Sequence, residues 1–182
     1  SQMRFLIIAA AVVSFVSMPA SKAEDWTEFR GPSANGHSTA AGLPIKWSTD
    51  QNVVWKRAID GLAWSSPIVL GDRVYLTTSV PNGDVLGPNQ SLRTLCLDAE
   101  SGAVNWDVEV FSQKATDPKS DKVHGKNSHS SATPVTDGKH LFVHFGAKGT
   151  ACLTLDGKIV WKLKEKGKNP YQVEHDELHR HI

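Results

Sequence analysis

The chain has 182 residues, of which 40% are hydrophobic, and a formal net charge of +1. This composition provides enough apolar side chains for a packed core and excludes an intrinsically disordered chain. The near-neutral charge gives no indication of a nucleic-acid-binding surface. The lysine-rich stretches at 114–126 and 162–168 are interrupted by acidic residues or glycine, and we interpret them as solvated loops.

The N-terminal segment has the pattern of a secretory signal. Arg4 precedes the apolar run Phe5–Val16, and small residues stand at Ser21 and Ala23. A basic start, an apolar core and an A-x-A-like end predict a signal peptide over residues 1–23, cleavage after Ala23, and export to the periplasm or the outside. A run of about 12 residues is too short for a membrane-spanning helix, which needs about 20. The alternative is a buried core helix.

An N-terminal extension, residues 24–51, follows the signal. It contains Trp26 and Trp47, which we expect to cover the edge of a sheet. Next comes Asn52–Lys56, whose pattern matches only the last strand of the repeat described below, as seen at Lys158–Lys162. It therefore predicts a separate N-terminal closing strand.

One passage of the sequence occurs twice, first at 64–106 and again at 131–161. Five residues match at equivalent places in the two copies: Pro67 and Pro134, Gly71 and Gly138, Cys96 and Cys152, Gly102 and Gly157, Trp106 and Trp161. The spacing between copies falls to about 40 residues once insertions near 81–91 and 112–127 are removed. That value is close to the roughly 40–45 residues of one four-stranded propeller blade.

Each copy predicts four short strands, because β-branched and aromatic runs alternate with Gly-containing turns. The predicted strands are Ser65–Leu70, Arg73–Ser79, Leu92–Leu97 and Ala103–Glu109, then Ser131–Thr136, His140–Phe145, Gly149–Leu155 and Lys158–Lys162. The predicted fold is all-β: a partial β-propeller over residues 52–163, with about two four-stranded blades and one N-terminal closing strand. The charged, histidine-rich tail at 164–182 lacks strand periodicity.

The run Leu97–Trp106 resembles the tryptophan-docking repeat of pyrroloquinoline-quinone (PQQ)-type β-propellers, a quinoprotein-like family. In that family a small residue, an Asp, a Gly and a terminal Trp recur, and the Trp packs between neighbouring blades. The resemblance therefore implies a structural repeat motif made of Trp55, Asp98, Gly102, Trp106, Gly157 and Trp161. The second copy departs from it, with Thr154 in place of Asp98. The segment Trp26–Pro32 also resembles exported PQQ-like proteins of planctomycete type.

The two cysteines, Cys96 and Cys152, occupy equivalent positions in the two copies. Equivalent strands of successive blades do not bring such residues face to face, and a disulfide needs Cα atoms about 4.4–6.8 Å apart. We therefore predict two free, buried thiols.

Four residues are candidates for binding at the mouth of the propeller channel: Trp64, His124, Asn127 and His129. Loops that gather at one mouth are where binding residues concentrate. The alternatives are that Trp64 is a packing residue and that the histidine loop is a polar loop whose Asn and Ser satisfy turns. In the tail, His175, His179 and His181 are too few for a four-ligand structural zinc site, so we expect no metal there.

Two blades are fewer than the 4–8 of a typical closed propeller. We therefore expect this chain to be the N-terminal piece of a longer protein. The alternative is a short chain that completes a ring by self-association.

Three classes of function follow. The first is an exported binding or scaffold module for a protein or polysaccharide partner, similar to the barrel-assembly propeller BamB, with no catalytic residue and no cofactor in this chain. The second is the N-terminal portion of a PQQ-dependent alcohol or sugar dehydrogenase, in which only the full-length enzyme would bind PQQ with calcium. The third, a hydrolase or lyase propeller, lacks a recognisable Ser/His/Asp motif or paired carboxylates. We expect the first.

Overall fold

The computed structural model describes residues 24–83, 88–117, 123–124 and 126–164. The predicted signal peptide and the three tail histidines (His175, His179 and His181) lie outside the described residues. Within the described part of the chain, no helix is long and apolar enough to cross a membrane.

Eight strands form two separate four-stranded antiparallel sheets, each in the order of the sequence. The first sheet contains β1 (Ile68–Leu70), β2 (Arg73–Pro81), β3 (Gln90–Asp98) and β4 (Val104–Gln113). The second contains β5 (Val135–Thr136), β6 (His140–His144), β7 (Thr150–Thr154) and β8 (Ile159–Leu163), with a 3-10 turn at Gly146–Lys148 between β6 and β7. The predicted all-β fold of two blades is confirmed.

The innermost strands are shorter than predicted, because β1 and β5 begin directly after Pro67 and Pro134. Proline has no N–H to donate to a strand ladder. The β2–β3 hairpin is longer than predicted, since its pairing continues as far as Pro81 and Gln90. Part of the first insertion therefore lengthens the strands, and only the remainder forms the loop.

The two sheets share one register. In the first, Tyr75 is opposite Cys96, and Cys96 is opposite Trp106. In the second, the equivalent row is Phe142, Cys152 and Trp161. A register shift follows the cysteine in both sheets, between Cys96 and Leu97 and between Cys152 and Leu153. The repeat seen in the sequence is therefore a repeat of hydrogen-bonding geometry.

The hydrophobic core lies between the sheets. Its buried residues come from both: Ile68, Tyr75, Leu92, Cys96, Val110 and Phe111 from the first, and Leu141, Val143, Phe145, Ala151 and Leu153 from the second. Phe111 and Phe145 meet edge-on with their ring centroids 6.0 Å apart. Burial of apolar area between the sheets is the main favourable contribution to their association.

The N-terminal extension links the inner edges of both sheets. Trp26 exchanges two backbone hydrogen bonds with Val69 of β1, and the N–H of Thr136 in β5 donates to Thr27 O at 3.3 Å. Trp26 thus covers the edge as predicted. The same prediction for Trp47 is wrong, since that side chain is 69% exposed. Its segment folds on itself through two backbone hydrogen bonds between Ser48 and Gln51.

The predicted closing strand Asn52–Lys56 has no strand partner among the described residues. Its place in another blade therefore stays a prediction. Cys96 and Cys152 lie on the equivalent strands β3 and β7, and both are buried free thiols. Burial raises the pKa of each thiol.

Candidate functional site

Trp106 joins the first sheet to the second. Its indole Nε1–H donates to Leu155 O at 3.0 Å, in the turn between β7 and β8. Its ring lies on Gly157, where an added Cβ would stand 2.8 Å from the indole. Glycine is required here for two reasons: the close approach of the ring and a φ of +83°.

Trp55 makes the same contact one repeat earlier. Its Nε1–H donates to Ala99 O at 2.8 Å, and its ring lies 2.5 Å from the Cβ position of Gly102. The structure thus places Trp55 and Trp106 of the predicted motif each against a turn glycine, and in both cases this glycine belongs to the sheet that follows the tryptophan in the chain.

Trp161 occupies the equivalent place on the second sheet. It is half-buried, and its ring is tilted by 46° toward Phe142 with the centroids 6.3 Å apart. In the first sheet Tyr75 and Trp106 form the same pair, at 6.0 Å and 47°. Trp161 therefore has the aromatic partner that the repeat provides, and the described residues include no turn glycine of a following repeat.

Asp98 holds the turn that receives Trp55. Its Oδ1 accepts hydrogen bonds from the hydroxyl of Ser101 at 2.6 Å and from the N–H of Ser101 at 2.8 Å. These bonds lower the pKa of Asp98. In the second sheet Thr154 replaces it, and the Thr154 hydroxyl accepts from the N–H of Lys158 at 3.1 Å. The shorter turn keeps an oxygen acceptor at this position without the carboxylate.

Arg73 makes an inter-sheet contact that was not predicted from the sequence. Its Nη1 donates to Leu155 O at 3.1 Å and to Asp156 Oδ1 at 2.9 Å. The hydrogen bond that Arg73 donates to Asp156 raises the pKa of Arg73. Leu155 O therefore accepts from both Trp106 and Arg73. The sequence carries no signal for this contact, because Arg73 has the appearance of an ordinary hairpin arginine.

Both insertions leave the first sheet at one end. Pro81 is opposite Gln90, and Gln90 is opposite Gln113, so the β2–β3 loop and the β4–β5 connection begin side by side. We call this the loop-bearing end. The opposite end carries the turn before Arg73 and the turn after Asp98, which are paired with each other.

Hydrogen bonds fix the loop-bearing end. The N–H of Ala115 donates to Asn89 Oδ1 at 3.0 Å and so joins the two insertions. Lys148, in the 3-10 turn of the second sheet, forms an ion pair with Asp117 at 2.6 Å. The hydrogen bond from Lys148 lowers the pKa of Asp117. The described part of the second insertion is therefore held by both sheets.

The four candidate binding residues all lie near this end. Trp64 is 53% exposed. Its backbone N–H donates to Ser130 O at 3.1 Å, and Ser130 directly follows His129 in the chain. His129 is half-buried. His124 and Asn127 are exposed and form one turn, in which the N–H of Asn127 donates to His124 O at 2.8 Å. Their part in binding stays a prediction.

Serine hydroxyls order the rest of this loop, as the alternative interpretation expected. The N–H of Ser130 donates to Ser128 Oγ at 3.0 Å, and Ser131 Oγ donates to Ser128 O at 2.9 Å. The hydroxyl of Ser130 then donates to Thr77 Oγ1 at 2.7 Å inside the first sheet. Sequence reasoning did not identify this buried link. Among the described residues no group of three or more His, Cys, Asp or Glu side chains could hold a metal ion.

The family model for the outer membrane protein assembly factor BamB, a PQQ-repeat family, matches residues 33–179. The match covers more than half of the chain and includes both sheets. The chain belongs to this PQQ-like repeat family. No curated protein matches it. The finer resemblance to planctomycete-type members stays a prediction.

Proposed function

We propose that this PQQ-like repeat chain is an exported binding or scaffold module that holds a protein partner at its loop-bearing end and has no catalysis of its own. One observation carries the proposal: both insertions that interrupt the repeat emerge at the same end and are bonded to each other and to the second sheet. Loops held by a rigid scaffold are a common location of binding residues.

The family name supports a protein as the partner, because it describes a factor in the assembly of outer membrane proteins. Trp64 supports the same end of the molecule. It is 53% exposed, and tryptophan is enriched among the residues that contribute most to protein–protein affinity.

Site-specific photo-crosslinking in the exporting cell tests this proposal. A photoreactive phenylalanine derivative is placed at Asn127 or at Trp64, on the loop-bearing end. The matched control places it at Asp72, whose side chain is 83% exposed at the opposite end. We expect one adduct of defined mass from the two loop-end positions, identified by mass spectrometry as the same exported or envelope protein.

Two results would overturn the proposal. One is the absence of any protein adduct from the loop-end positions while the protein is exported and folded. The other is an equal set of adducts from Asp72, which would indicate collision rather than a binding surface.

The second candidate, a portion of a PQQ-dependent dehydrogenase, makes a different prediction. Calcium bound beside PQQ requires several oxygen ligands, and the described residues bring no such carboxylate group together. We propose that this chain binds no cofactor. Titration with PQQ and calcium should leave the quinone absorbance unchanged and give no dye-linked alcohol oxidation; stoichiometric PQQ binding would favour the dehydrogenase.

Export has its own test. The predicted signal places the mature N-terminus at Glu24. Intact-mass analysis of the protein recovered from the periplasm or medium should give a chain that begins there. A chain that keeps residues 1–23 and stays in the cytoplasm would refute export.

We also propose that Trp161 packs on a further repeat, either in a longer form of the protein or in a second copy of the chain. Its equivalence to the docked Trp106 supports this. Sedimentation equilibrium tests the second copy: a concentration-dependent dimer that Trp161→Ala dissociates supports self-association, and a monomer at all concentrations excludes it.

A further inference from the structure

The sequence contains two Asn-Gly pairs, Asn35-Gly36 and Asn82-Gly83. In such a pair the backbone nitrogen of the glycine can attack the side-chain carbonyl carbon of the asparagine and close a succinimide ring. Glycine has no Cβ to obstruct this approach and rotates easily into the conformation that it needs. The two pairs have the same covalent chemistry, so the folded structure decides which of them reacts.

The pair Asn35-Gly36 lies in a turn that already occupies the reacting groups. The N–H of Gly36 donates to Arg30 O at 2.9 Å, and Asn35 Oδ1 accepts from the N–H of His37 at 2.8 Å. The attacking nitrogen must lose its proton and the side-chain amide must turn toward it, so both hydrogen bonds have to break before the ring can close. Because each bond contributes to the stability of the folded turn, the two together protect Asn35.

The pair Asn82-Gly83 follows β2 directly and has neither restraint. The N–H of Asn82 donates to Asn89 O at 2.9 Å and so anchors the backbone on the near side of the pair. Within the described part of the chain, the Asn82 side-chain amide and the Gly83 N–H make no hydrogen bond. Both residues are exposed to solvent. The attacking nitrogen and the carbonyl carbon are therefore free to meet, and water can reach the ring that they form.

We infer that Asn82 is a site of spontaneous deamidation in the folded protein and that Asn35 is protected from the same reaction. The backbone nitrogen of Gly83 loses its proton and forms a bond to Asn82 Cγ. The bond from Cγ to the side-chain nitrogen breaks, and ammonia leaves. Water then adds to one of the two ring carbonyl carbons and opens the ring, which leaves aspartate or isoaspartate at position 82.

The reaction changes the charge of the loop-bearing end. It consumes one water, releases one ammonia and requires neither an oxidant nor a reductant. A neutral amide becomes a carboxylate, and this new negative charge lies at the cleft that Asn82 and Lys114 both line. The modification is additional to the protein-binding role proposed above and does not depend on it.

Peptide mapping by mass spectrometry tests the inference on the full chain. The protein is aged at mildly alkaline pH, once folded and once unfolded in urea, and trypsin then places the two pairs on different peptides, 31–46 and 74–93. In the folded protein we expect position 82 to convert roughly tenfold faster than position 35, as the two protecting hydrogen bonds require. In urea the two positions should convert at similar rates. In water enriched in oxygen-18, the product at position 82 should gain one heavy oxygen.

Two matched variants locate the reaction. Asn82→Gln keeps an amide but lengthens the side chain, so that attack would have to close a larger and more slowly formed ring. We expect it to abolish the mass change in peptide 74–93. Asn35→Gln makes the same change at the protected pair and should leave conversion at position 82 unaltered. Isoaspartyl methyltransferase with labelled methyl donor should mark the aged protein and Asn35→Gln, but not Asn82→Gln.

Three results would overturn the inference. The first is equal conversion of positions 35 and 82 in the folded protein, which would show that the turn gives no protection. The second is a position 82 that converts in urea but stays unaltered in the folded chain. The third is a rate at position 82 that does not rise with pH, because attack requires the Gly83 nitrogen to lose its proton.

Discussion

The first and second sheets have the same strand order and register, yet their aromatic faces have different surroundings. Tyr75 is fully buried under the second sheet, and Trp106 beside it docks on Gly157. Phe142 and Trp161 form the same pair on the second sheet, where Phe142 is only half-buried. Trp106 and Trp161 are both half-buried. The geometry within one repeat therefore does not depend on docking, whereas the burial of the ring at the position of Tyr75 does.

This difference indicates how stability is distributed in a repeat array. Each repeat contributes its own hairpins, and neighbouring repeats contribute the interface between them, so the total is approximately a sum of intrinsic and interfacial terms. Among the described residues, the two sheets present a covered and an uncovered copy of the same face, and equivalent substitutions in the two copies measure the interfacial term.

Alanine substitution of the two equivalent tryptophans should show the largest difference. Trp106→Ala removes a half-buried ring, its contact with Gly157 and the bond to Leu155 O, and we expect it to lower the free energy of unfolding by about 3 kcal/mol. Trp161→Ala removes a half-buried ring that has no such docking contact among the described residues, and it should cost clearly less. Urea denaturation followed by circular dichroism measures both. Equal losses would show that Trp161 is already docked in solution.

Substitution of two turn glycines separates ring contact from backbone strain. Gly138 and Gly157 have nearly equal positive φ values, +85° and +83°, but only Gly157 has an indole against its Cβ position. Gly138→Ala should cost about 1–2 kcal/mol from the left-handed conformation alone. Gly157→Ala should cost about 1–3 kcal/mol more because of overpacking. Thermal denaturation of both variants gives the difference, and a null difference would contradict the docking geometry.

Removal of the ion pair between Arg73 and Asp156 should have a smaller effect on the free energy of unfolding. Asp156 is 76% exposed and Arg73 is 36% exposed, and exposed ion pairs contribute about 0.2–1 kcal/mol. Asp156→Asn should therefore lower the free energy of unfolding by less than about 1 kcal/mol, and this loss should shrink in high salt. A loss comparable to that of Trp106→Ala would mean that the pair, rather than the ring, holds the sheets together.

The smallest expected effect is on the pH dependence of the free energy of unfolding. In the second sheet, hydrogen bonds from the N–H groups of His140 and Lys139 lower the pKa of Asp137 from 3.8 to about 2. A lowered native-state pKa contributes stability that is present above the unfolded-state value and is lost as the pH falls toward the native value. Stability measured from pH 5 to pH 2 should therefore decline more in the unaltered protein than in Asp137→Asn. Parallel curves of stability against pH for the two proteins would refute this contribution of Asp137.

Most of the fold was predictable because residues close along the chain specify the strands and turns of the repeat. Alternating apolar residues and the glycine turns identified all eight strands, and the matched Cys and Trp positions identified equivalent strands in the two sheets. The misses came from contacts distant in sequence. Trp47 lies away from the sheets because Ser48 and Gln51 close a local turn, and Arg73 meets Asp156 across 83 positions.

For the candidate binding residues, the sequence predicted only where in the molecule they lie. Insertions could be placed at one mouth because consecutive antiparallel strands alternate in direction, which put Trp64, His124, Asn127 and His129 near the same end.

The amino-acid sequence by itself determined the strands, their turns and membership in a repeat family, since these depend on residues close along the chain. Only the tertiary structure decided which tryptophan is docked and which carbonyl receives the cross-sheet hydrogen bonds. Those properties depend on the packing of one repeat against the next. A pattern of neighbouring residues specifies the unit, and the contact between units forms the shared hydrophobic core.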